Sequence, residues 1–510
     1  MRATTRPVLA AVLTILTALA AAAPPAGAAR AAVLAWSPCT QDATAQCTTL
    51  QVPIDWADPY SAKVGIAVAR RPATDAATRI GTLVVNPGGP GGSGVDFAVG
   101  STYFFSDAVR RRFDIVGFDP RGVGRSNPVQ CTAALSAAAP SPLIADPQEY
   151  AATIAYNRRL AADCRANTGP LFDHVDTLSV TRDIEALRAA LGEPELSVYG
   201  ASYGSLIAGQ YADRYPDRVR STVLDSVMDH SVGLDDFLGV ETDAAQDSFN
   251  QFVGWCGRDV RCAVHGRDVP GIWAGLLARA AAGQLRDPYH PGSAVTVAAL
   301  LKVAFSSFYE PQWYALGYYL KNADAEAPKP GGTTTPAPNG LAADSFAAVF
   351  CADWSLPVTS YEDYRARLDR LRLRAPQMLA SPLALTATAG CLGWPSPPGN
   401  PQRNLSPAKK PVLLVNAQHD PATAYPWAQH VAEQLGPNAT LLTYGGWGHV
   451  AYNRTACVSG IIDDYLINGV RPAAGTRCPG VLPDPFGVGG GGVGKHANNG
   501  QRAPLRWGYR

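Results

Sequence analysis

The sequence lacks the patterns that hold metal ions and bind nucleic acids. None of its ten cysteines stands in a CxxC pair and no HExxH motif occurs, which argues against a metal site. There is no run of basic residues and no interleaving of basic with aromatic residues, and the formal net charge is only +1. These absences argue against a nucleic-acid-binding protein. We therefore expect no metal, no cofactor and no nucleic-acid partner.

Long apolar runs are also absent beyond the N-terminus, so no stable membrane span is expected. At the N-terminus, two arginines precede an apolar run from Val8 to Ala23, and the small residues Ala26-Gly-Ala28 follow it. This order is typical of a secretory signal peptide, here residues 1–28. The run is short and rich in alanine for a permanent span, and an uncleaved anchor is the alternative. The sequence therefore predicts a secreted protein, or one that stays associated with the cell surface.

The ten cysteines are an even set in a chain with an export signal, so disulfide bonds are the leading interpretation. Many connectivities are compatible with the sequence. Pairing of neighbours along the chain would close five local loops, of which the two shortest are the most favourable. The pairs would be Cys39 with Cys47, Cys131 with Cys164, Cys256 with Cys262, Cys351 with Cys391, and Cys457 with Cys478.

Short β-rich runs alternate with helical patterns in the first half of the chain and again near its end. This alternation predicts an α/β fold with a mainly parallel sheet. A helical pattern over 180–191, with Thr181 as its N-cap and Gly192 as its stop, precedes one of the strands. The predicted strands are 81–86, 113–118, 196–199, 222–224, 412–415 and 440–443.

The 510 residues are enough for one large core with an insertion. From 227 to 405 strand signals are few, so we expect an inserted, mostly helical unit between the core segments 29–226 and 406–480. Within it, the stretch 327–340 is rich in Pro, Gly and Thr and is predicted to be a mobile loop. Residues 481–510 contain too little apolar material to pack and are predicted to form a disordered tail.

Ser202 stands between two glycines, in Gly200-Ala-Ser202-Tyr-Gly204, directly after the predicted strand 196–199. The following residues, SLIAGQYADRYP, continue as a helix. A tight strand-to-helix turn needs small residues two positions before and after the serine, because larger side chains would clash with strand and helix. This context favours a nucleophile elbow. An ordinary glycine-flanked turn is the alternative for so short a motif.

A serine hydroxyl is a poor nucleophile at neutral pH, so a base must lie within hydrogen-bond reach of Ser202 and an acid must orient that base. Of the eight histidines, His449 lies in a glycine-rich turn directly after a predicted late strand. His430 lies in a helical stretch, and His419 immediately precedes an acid on the same loop. His449 is therefore the predicted base.

The acid should also follow a strand. Asp420 follows the strand 412–415, and Asp225, the competing candidate, follows the strand 222–224. Asp420 is favoured because the chain order Ser, Asp, His is then kept, with the acid and the base on successive strands. The alternative role for Asp225 is that of a strand-end residue that accepts hydrogen bonds from nearby backbone amides.

Attack on a carbonyl produces an oxyanion, which needs backbone N–H donors. One predicted donor is the amide of Tyr203, next to the nucleophile. The other should come from the loop 86–94, with five glycines in nine residues, where Gly89 is the predicted donor and Gly88 or Gly91 the substitute. A phosphate-binding loop is the rival interpretation, but the Gly-Lys-Ser/Thr ending is missing. All these residues follow strands, at the edge where such sheets bind ligands.

Several longer motifs are more specific than Gly-x-Ser-x-Gly alone, above all the pair NPGGPGGSG and GxSYG. They span roughly residues 36–480, nearly all of the mature chain. With them the chain resembles the secreted tripeptidyl aminopeptidase-like serine hydrolases of actinobacteria, relatives of the proline iminopeptidases with an α/β-hydrolase fold. The motifs are NPGGPGGSG (86–94), FDIVGFDPRGVGRSNPVQC (113–131), YGASYGSLIAGQYADRYPDRV (199–219), FAAVFCADW (346–354), CLGWP (391–395), HDPATA (419–424) and GGWGH (445–449).

The resemblance implies a serine peptidase that removes short peptides, often tripeptides, from the free N-termini of peptide substrates. It implies the same nucleophile, acid and base, Ser202, Asp420 and His449, and an insertion that acts as a lid. An esterase or lipase with the same triad, or a proline iminopeptidase-like enzyme that removes single residues, is the alternative. The acid loop has Asp420-Pro-Ala-Thr-Ala424 in place of the usual Asp-x-Val-Thr-Pro, so the pocket beside the acid differs. A monomer is the default assembly.

An enzyme that acts on free N-termini must also bind a protonated amine, which calls for a carboxylate in the insertion. The stretch LDDFLGVETD offers Asp235, Asp236, Glu241 and Asp243. The alternative for these residues is a helix N-terminal turn, where acids are favourable. The sequence does not select one of them.

Overall fold

The computed structural model describes Met1 and residues 34–58, 60–290, 292–325 and 338–483. The predicted signal peptide, apart from Met1, lies outside the described residues. So do most of the predicted mobile loop 327–340 and most of the predicted tail 481–510. In the described part of the chain, no helix combines the length and the apolar character that a membrane crossing requires.

The described residues form twelve strands. They are β1 (Ser37–Pro38), β2 (Gln46–Pro53), β3 (Lys63–Arg71), β4 (Gly81–Asn86), β5 (Phe113–Phe118), β6 (Gln130–Thr132), β7 (Leu196–Ala201), β8 (Val219–Asp225), β9 (Leu341–Ala343), β10 (Val412–His419), β11 (Ala439–Trp447) and β12 (Arg477–Pro479).

Ten of these strands build one sheet, in the order β1-β2-β3-β5-β4-β7-β8-β10-β11-β12. The pairs from β1 to β5 are antiparallel, and all the pairs from β5 to β12 are parallel. The strands β6 and β9 pair with each other in a separate antiparallel sheet. The predicted α/β fold with a mainly parallel sheet is therefore confirmed.

Fifteen α-helices accompany the strands in the part of the chain that the structure describes. Seven of them, together with the short β9, lie between β8 and β10; we call the segment 227–405 the insertion, and its bounds stay a prediction. The helices are α1 (Gly94–Val99), α2 (Asp107–Arg112), α3 (Ala133–Ala137), α4 (Pro147–Thr168), α5 (Thr177–Leu191), α6 (Tyr203–Arg214), α7 (Leu234–Arg258), α8 (Val269–Ala281), α9 (Val297–Tyr309), α10 (Trp313–Ala325), α11 (Phe346–Asp353), α12 (Tyr361–Arg374), α13 (Pro382–Cys391), α14 (Tyr425–Leu435) and α15 (Ala456–Asn468).

Helix α5 begins earlier than the sequence predicted. Its N-cap is Asp176, whose carboxylate accepts the Ser179 amide at 2.9 Å, and the prediction of Thr181 was wrong. A carboxylate both caps the free amides and complements the positive end of the helix dipole, so it defines the start. Thr181 lies inside the helix. The predicted stop, Gly192, is correct and adopts the left-handed conformation with φ +74°.

The two faces of the sheet contribute to separate cores, because successive residues of a strand point to opposite faces. In β4, Val84 packs on one face while Leu83 and Val85 pack on the other. A third core, formed mostly by the insertion, contains the buried tryptophans Trp255, Trp273 and Trp313. The insertion therefore carries an apolar core of its own.

All ten cysteines are paired in disulfide bonds, each with its neighbour along the chain. One bond links β6 to α4, one links α11 to α13 within the insertion, and one links α15 to β12 at the end of the sheet. The pairs are Cys39–Cys47, Cys131–Cys164, Cys256–Cys262, Cys351–Cys391 and Cys457–Cys478.

Candidate active site

Ser202 occupies the turn between β7 and α6, with φ +58° and ψ −129°. This conformation is rare outside glycine and costs free energy, so the surroundings must hold it. One stabilising contact is the hydrogen bond that the Ser202 amide donates to the Asp225 carbonyl at 2.9 Å. The flanking glycines have no room for a side chain: a methyl group at Gly200 would lie 2.1 Å from the Gly204 carbonyl oxygen, and one at Gly204 would lie 2.4 Å from that of Asn86. The turn has the geometry of a nucleophile elbow.

His449 and Asp420 form a buried pair at the carboxyl ends of two neighbouring strands. Asp420 follows β10 and His449 follows β11, and these strands pair in parallel. His449 Nδ1 lies 2.9 Å from Oδ1 and 3.0 Å from Oδ2 of Asp420. Because Nδ1 faces the carboxylate, Nε2 is the ring nitrogen left for proton transfer.

Several neighbours keep the carboxylate of Asp420 ionised. Burial raises its pKa, whereas the charge of His449 and the hydrogen bond with it lower it. The Ser226 hydroxyl, 2.6 Å from Oδ2, and the Ala422 amide, 2.9 Å from Oδ1, lower the pKa further. The resulting pKa lies below the ordinary value. An ionised, oriented carboxylate selects the tautomer of the imidazole and stabilises its protonated form.

Asp225, the competing acid, binds the loop after His449. Its carboxylate accepts the amides of Ala451 and Tyr452, at 2.8 and 2.9 Å, and the hydroxyl of Tyr199 at 2.6 Å. Burial raises the pKa of Asp225, and these three donors offset that effect only in part. Asp225 therefore accepts backbone amides at a strand end, while Asp420 is the carboxylate that contacts the imidazole.

Ser226, which sequence reasoning missed, connects the loop that carries Asp420 to the loop that carries His449. It lies directly after β8 with φ +59°. Its hydroxyl donates to Asp420 and accepts the Val450 amide at 2.8 Å. The sequence could have indicated this residue through its position, because Ser226 is a polar residue directly after a strand that ends at the ligand-binding edge of the sheet.

The elbow is tied to the loops of the acid and the base through Asp225 and Ser226. The Ser202 amide donates to the Asp225 carbonyl, and the Asp225 carboxylate binds the loop after His449. The Ser226 hydroxyl binds both Asp420 and the Val450 amide. Within the described residues, no hydrogen bond joins the Ser202 hydroxyl to His449, whose ring contacts Asp420 and Thr423. Such bonds are often long without a substrate and shorten when it binds.

The glycine-rich loop 86–94 packs against the elbow. It connects β4 to α1. A methyl group at Gly88 would lie 2.7 Å from the Tyr203 amide nitrogen, so the loop backbone touches the turn directly. The Gly88 amide is engaged, since it donates to Asn86 Oδ1 at 2.9 Å. Gly89, the predicted donor, is the next residue of this loop.

The side chain of Tyr203 leads into a buried polar network that sequence reasoning also missed. Its hydroxyl donates to Oδ2 of Asp353, at the end of α11. The same carboxyl group accepts the amide and hydroxyl of Thr177, at 2.8 and 2.6 Å, and the side-chain amide of Asn400 at 3.0 Å. Burial raises the pKa of Asp353 to about 7, although Thr177 and Tyr203 lower it. The sequence could have indicated this network through Asp353, the aspartate within the motif FAAVFCADW.

Helix α7 of the insertion contacts the strand ends that lead to the acid and the base. Asp247 Oδ2 lies 2.6 Å from His419 Nδ1, and Gln251 accepts the indole N–H of Trp447 at 3.0 Å. The His419 ring also stacks on Trp447, with ring centroids 5.9 Å apart. His419, one of the histidines rejected as the base, therefore has an acid partner in the insertion.

The four candidate acids on α7 differ in their surroundings. Three are exposed, and two of these pair with arginines of α12: Asp235 with Arg367 and Arg370, and Asp243 with Arg374. The third exposed acid is Asp236. Asp235 and Asp236 lie in the first turn of α7, as the helix-turn interpretation expects, whereas Asp243 lies further along the helix.

Glu241 is the buried member of this group. Its Oε1 accepts a hydrogen bond from the Ser381 hydroxyl at 2.8 Å. Burial raises the pKa of Glu241 well above its ordinary value, and the negative charge of Asp420 raises it further. Glu241 is thus the one of these four acids whose side chain is removed from solvent.

The groups assembled at this edge of the sheet suit nucleophilic catalysis. They comprise a strained serine, a buried imidazole with an ionised acid, and backbone amides of a glycine loop. In the portion of the chain described by the structure, no cluster of His, Cys, Asp and Glu side chains has the arrangement of a metal site.

Two family patterns match the chain. The pattern described as "alpha/beta hydrolase fold" matches residues 81–319, and the one described as "TAP-like protein" matches residues 376–478. The first match contains the glycine loop and the elbow. The second contains Asp420 and His449.

Three curated relatives align with most of the chain. "Serine protease Hip1" from Mycobacterium tuberculosis is 30% identical over 483 residues, which cover 87% of this chain and 90% of the relative. "Tripeptidyl aminopeptidase" from Streptomyces coelicolor is 30% identical over 485 residues, 88% of this chain and 87% of the relative. "Carboxylesterase B" from Mycobacterium tuberculosis is 31% identical over 462 residues, 85% of this chain and 86% of the relative.

Proposed function

The chain belongs to the alpha/beta hydrolase family and is a serine peptidase, and on this basis we propose that it releases short peptides, chiefly tripeptides, from free N-termini. The observation that carries the proposal is the buried pair of His449 and Asp420, which Asp225 and Ser226 connect to the Ser202 elbow. In this proposal Ser202 is the nucleophile, His449 is the general base and Asp420 orients the base.

The reaction proceeds through an acyl-enzyme. His449 Nε2 takes the proton of the Ser202 hydroxyl as its oxygen attacks the carbonyl carbon of a peptide bond. The protonated imidazole then gives this proton to the leaving amine, and the C-terminal part of the substrate departs. Water, deprotonated by His449, attacks the acyl carbon. The bond to the Ser202 oxygen breaks, this oxygen takes the proton back from His449, and the N-terminal fragment leaves. The lowered pKa of Asp420 supports its role, because an ionised carboxylate stabilises the imidazolium in both steps.

The amides of Tyr203 and Gly89 stabilise the oxyanion in this scheme. Support comes from the close approach of the glycine loop to the Tyr203 amide. The Gly88 amide already donates to Asn86, which favours Gly89 over Gly88 as the second donor. Gly91 is the remaining substitute. Such donors act on the charge that develops in the transition state.

Glu241 binds the amine of the substrate's free N-terminus in this proposal. It is the buried acid of α7, and the negative charge of Asp420 contributes to its raised pKa. An ammonium group would compensate the burial that raises the Glu241 pKa, so the carboxylate would ionise as the substrate binds. The exposed acids Asp235 and Asp243 already have arginine partners.

Two further parts of the proposal, the length of the released peptide and the compartment of the protein, are supported by separate observations. The name of the Streptomyces relative favours release of tripeptides. The five disulfide bonds favour an oxidising compartment, which agrees with a protein secreted through residues 1–28. The insertion, 227–405, acts as a lid that limits how much of the substrate's N-terminal end fits beside Ser202.

Ester hydrolysis is the second candidate function. One relative of similar identity and coverage is named "Carboxylesterase B". The same serine, base and acid hydrolyse esters and amides, because both reactions form an acyl-enzyme. The two functions differ in whether a free amine is needed.

The first test replaces the proposed catalytic residues one at a time. Ser202→Ala and His449→Ala should each lower kcat/KM for a peptide by a factor of at least about 10⁴, since the nucleophile or its base is lost. His430→Ala is the matched control, because His430 pairs with Asp229. A fluorophosphonate probe should label the wild type and leave Ser202→Ala unlabelled. Full activity of Ser202→Ala would show that the scheme is wrong.

The second test identifies the substrate class. A peptide library with free and with blocked N-termini is digested and the products are read by mass spectrometry, beside an acyl ester. Tripeptides released from free N-termini alone support the proposal. Single residues would indicate a proline iminopeptidase-like enzyme, and cleavage of the ester without cleavage of any peptide would indicate an esterase.

The third test concerns the amine. Glu241→Gln should raise KM for peptides with a free N-terminus by at least about tenfold, because a charge-assisted hydrogen bond is lost. Hydrolysis of an ester without an amine should stay within about twofold of the wild type. Asp243→Asn, on the same helix but exposed, is the control. An equal loss with both substrates would contradict the assignment of Glu241.

A further inference from the structure

The loop that carries His449 is held in a strained conformation. Gly448 has φ +98° and Val450 has φ +67°. Positive φ is costly for a β-branched residue, and it persists only when the surroundings determine it. Two contacts hold Val450: the Ser226 hydroxyl accepts its amide at 2.8 Å, and Arg454 Nε donates to its carbonyl at 3.0 Å.

Tyr309, the last residue of α9, contacts this loop from the insertion. Its carbonyl oxygen accepts the His449 amide at 2.8 Å and the Arg454 guanidinium at 3.0 Å. The same guanidinium donates to the His449 carbonyl at 2.8 Å. A methyl group at Gly448 would lie 2.8 Å from the Tyr309 oxygen, so the two backbones meet with no space for a side chain.

The ring of Tyr309 also packs on the ring of His449. The ring centroids are 4.9 Å apart and the planes are inclined by 65°, which is an edge-to-face contact. Asp420 contacts Nδ1 of the imidazole, and the ring of Tyr309 packs against the same imidazole. These two contacts restrict rotation of the ring, and a base must keep its orientation to reach the nucleophile.

We propose that Tyr309 is a positioning residue for His449, through its ring on the imidazole and its carbonyl on the backbone of the base. This inference rests on the proposed role of His449 as the base. The insertion then completes the catalytic centre as well as covering it. Movement of α9 away from the sheet would release the strained loop and misplace the imidazole.

The test compares Tyr309→Ala with Tyr309→Phe. Loss of the ring should lower kcat about tenfold with KM within about twofold, because the chemical step and not binding is affected. The phenylalanine variant keeps the ring and should stay within about twofold of the wild-type kcat. Tyr318→Ala is the matched control, since Tyr318 is a tyrosine of the insertion with half of its surface exposed. A wild-type kcat for Tyr309→Ala, or an equal loss for Tyr309→Phe, would overturn the inference.

Two further measurements separate this inference from its premise. Active His449→Ala would show that the base is wrongly assigned, and the inference would fall with it. Inactive His449→Ala together with fully active Tyr309→Ala would remove only the role of Tyr309. The NMR signal of the proton on His449 Nδ1 should shift or broaden in Tyr309→Ala, and an unchanged signal would count against the proposal. If the alanine variant does not fold, Tyr309→Leu keeps apolar volume without a ring and takes its place.

Discussion

The hydroxyl of Tyr203 donates a hydrogen bond of 2.5 Å to the carboxyl group of Asp353. Tyr203 follows Ser202 directly and Asp353 ends α11, so this bond links the elbow to the insertion. Burial raises the pKa of Asp353 to about 7, although hydrogen bonds from Thr177 and Tyr203 lower it. The carboxyl group therefore changes its charge near neutral pH.

Asp353→Asn should change how the free energy of unfolding depends on pH. The carboxyl group titrates near pH 4 in an unfolded chain and at about 7 in the folded protein, so the folded state binds the proton more tightly. The stabilisation from this proton is complete below about pH 4 and falls by about 1.4 kcal/mol per pH unit up to about pH 7. The wild type should therefore lose stability relative to the variant as the pH rises from 5 to 7.

Urea unfolding of both proteins at pH 5, 6, 7 and 8 measures this difference. Burial also raises the pKa of Asp183, Asp225 and Glu241, but both proteins contain these groups and their effects cancel in the comparison. A difference that does not vary with pH would show that Asp353 does not titrate in this range.

The same substitution at Asp420 and at Asp225 should separate catalysis from loop stability. Asp420→Asn should lower kcat by about 10⁴, because the imidazole is held in the wrong tautomer. Asp225→Asn places an amide group against the donors Ala451 and Tyr452, so it should lower the free energy of unfolding by about 1–3 kcal/mol and kcat far less. Steady-state kinetics and chemical unfolding of both variants give the comparison. A larger loss of kcat in Asp225→Asn than in Asp420→Asn would show that Asp225 is the acid that orients His449.

Gly204→Ala should destabilise the protein although Gly204 lies in helix α6, where alanine is the better helix former. The added methyl group would lie 2.4 Å from the Asn86 carbonyl oxygen, so the elbow or the glycine loop must move. We expect a loss of about 1–3 kcal/mol in unfolding free energy and a loss of probe labelling at Ser202. In Gly275→Ala, on α8, the methyl group meets no atom within 4 Å and should stabilise by up to about 1 kcal/mol. Equal effects at the two sites would contradict this account.

Removal of the disulfide bond between Cys351 and Cys391 should cost more stability than removal of the bond between Cys256 and Cys262. The first pair is separated by 40 residues and the second by 6, so the first restricts the unfolded chain more. Loop-closure entropy predicts a difference of about 1.7 kcal/mol between the two double alanine variants. Unfolding by guanidinium chloride measures it, and the reverse order would show that native packing around the bonds dominates.

The sequence predicted those parts of the sheet whose signals are local. The strand 81–86 is buried on both faces and is therefore a continuous apolar run, which is visible without knowledge of its neighbours. The antiparallel strands β2 and β3 were not predicted. In β2 the residues QCTTLQVP mix polar and apolar side chains, because much of the strand is only partly buried. The strand β12 has three residues, too few for a pattern.

The choice among the acids depended on the fold. Asp225 and Asp420 both follow strands, and the sequence order favoured Asp420 without a contact to support it. The structure adds that contact, because the parallel pairing of β10 with β11 brings Asp420 beside His449. The structure also distinguishes the buried Glu241 from the exposed acids of α7, since burial depends on which face of the helix packs against the core.

The sequence by itself determined the local chemistry of this protein: a serine in a glycine-flanked turn, a glycine loop after a strand, and an acid and a histidine after two late strands. Turns and strands depend on residues close together along the chain, so their signals survive in the sequence. Only the tertiary structure decided which distant groups meet, as when Tyr309 packs on His449 or Asp353 accepts the Tyr203 hydroxyl. Burial, and with it the pKa of Asp353 or Glu241, arises when segments far apart in sequence pack together, and no local pattern encodes it.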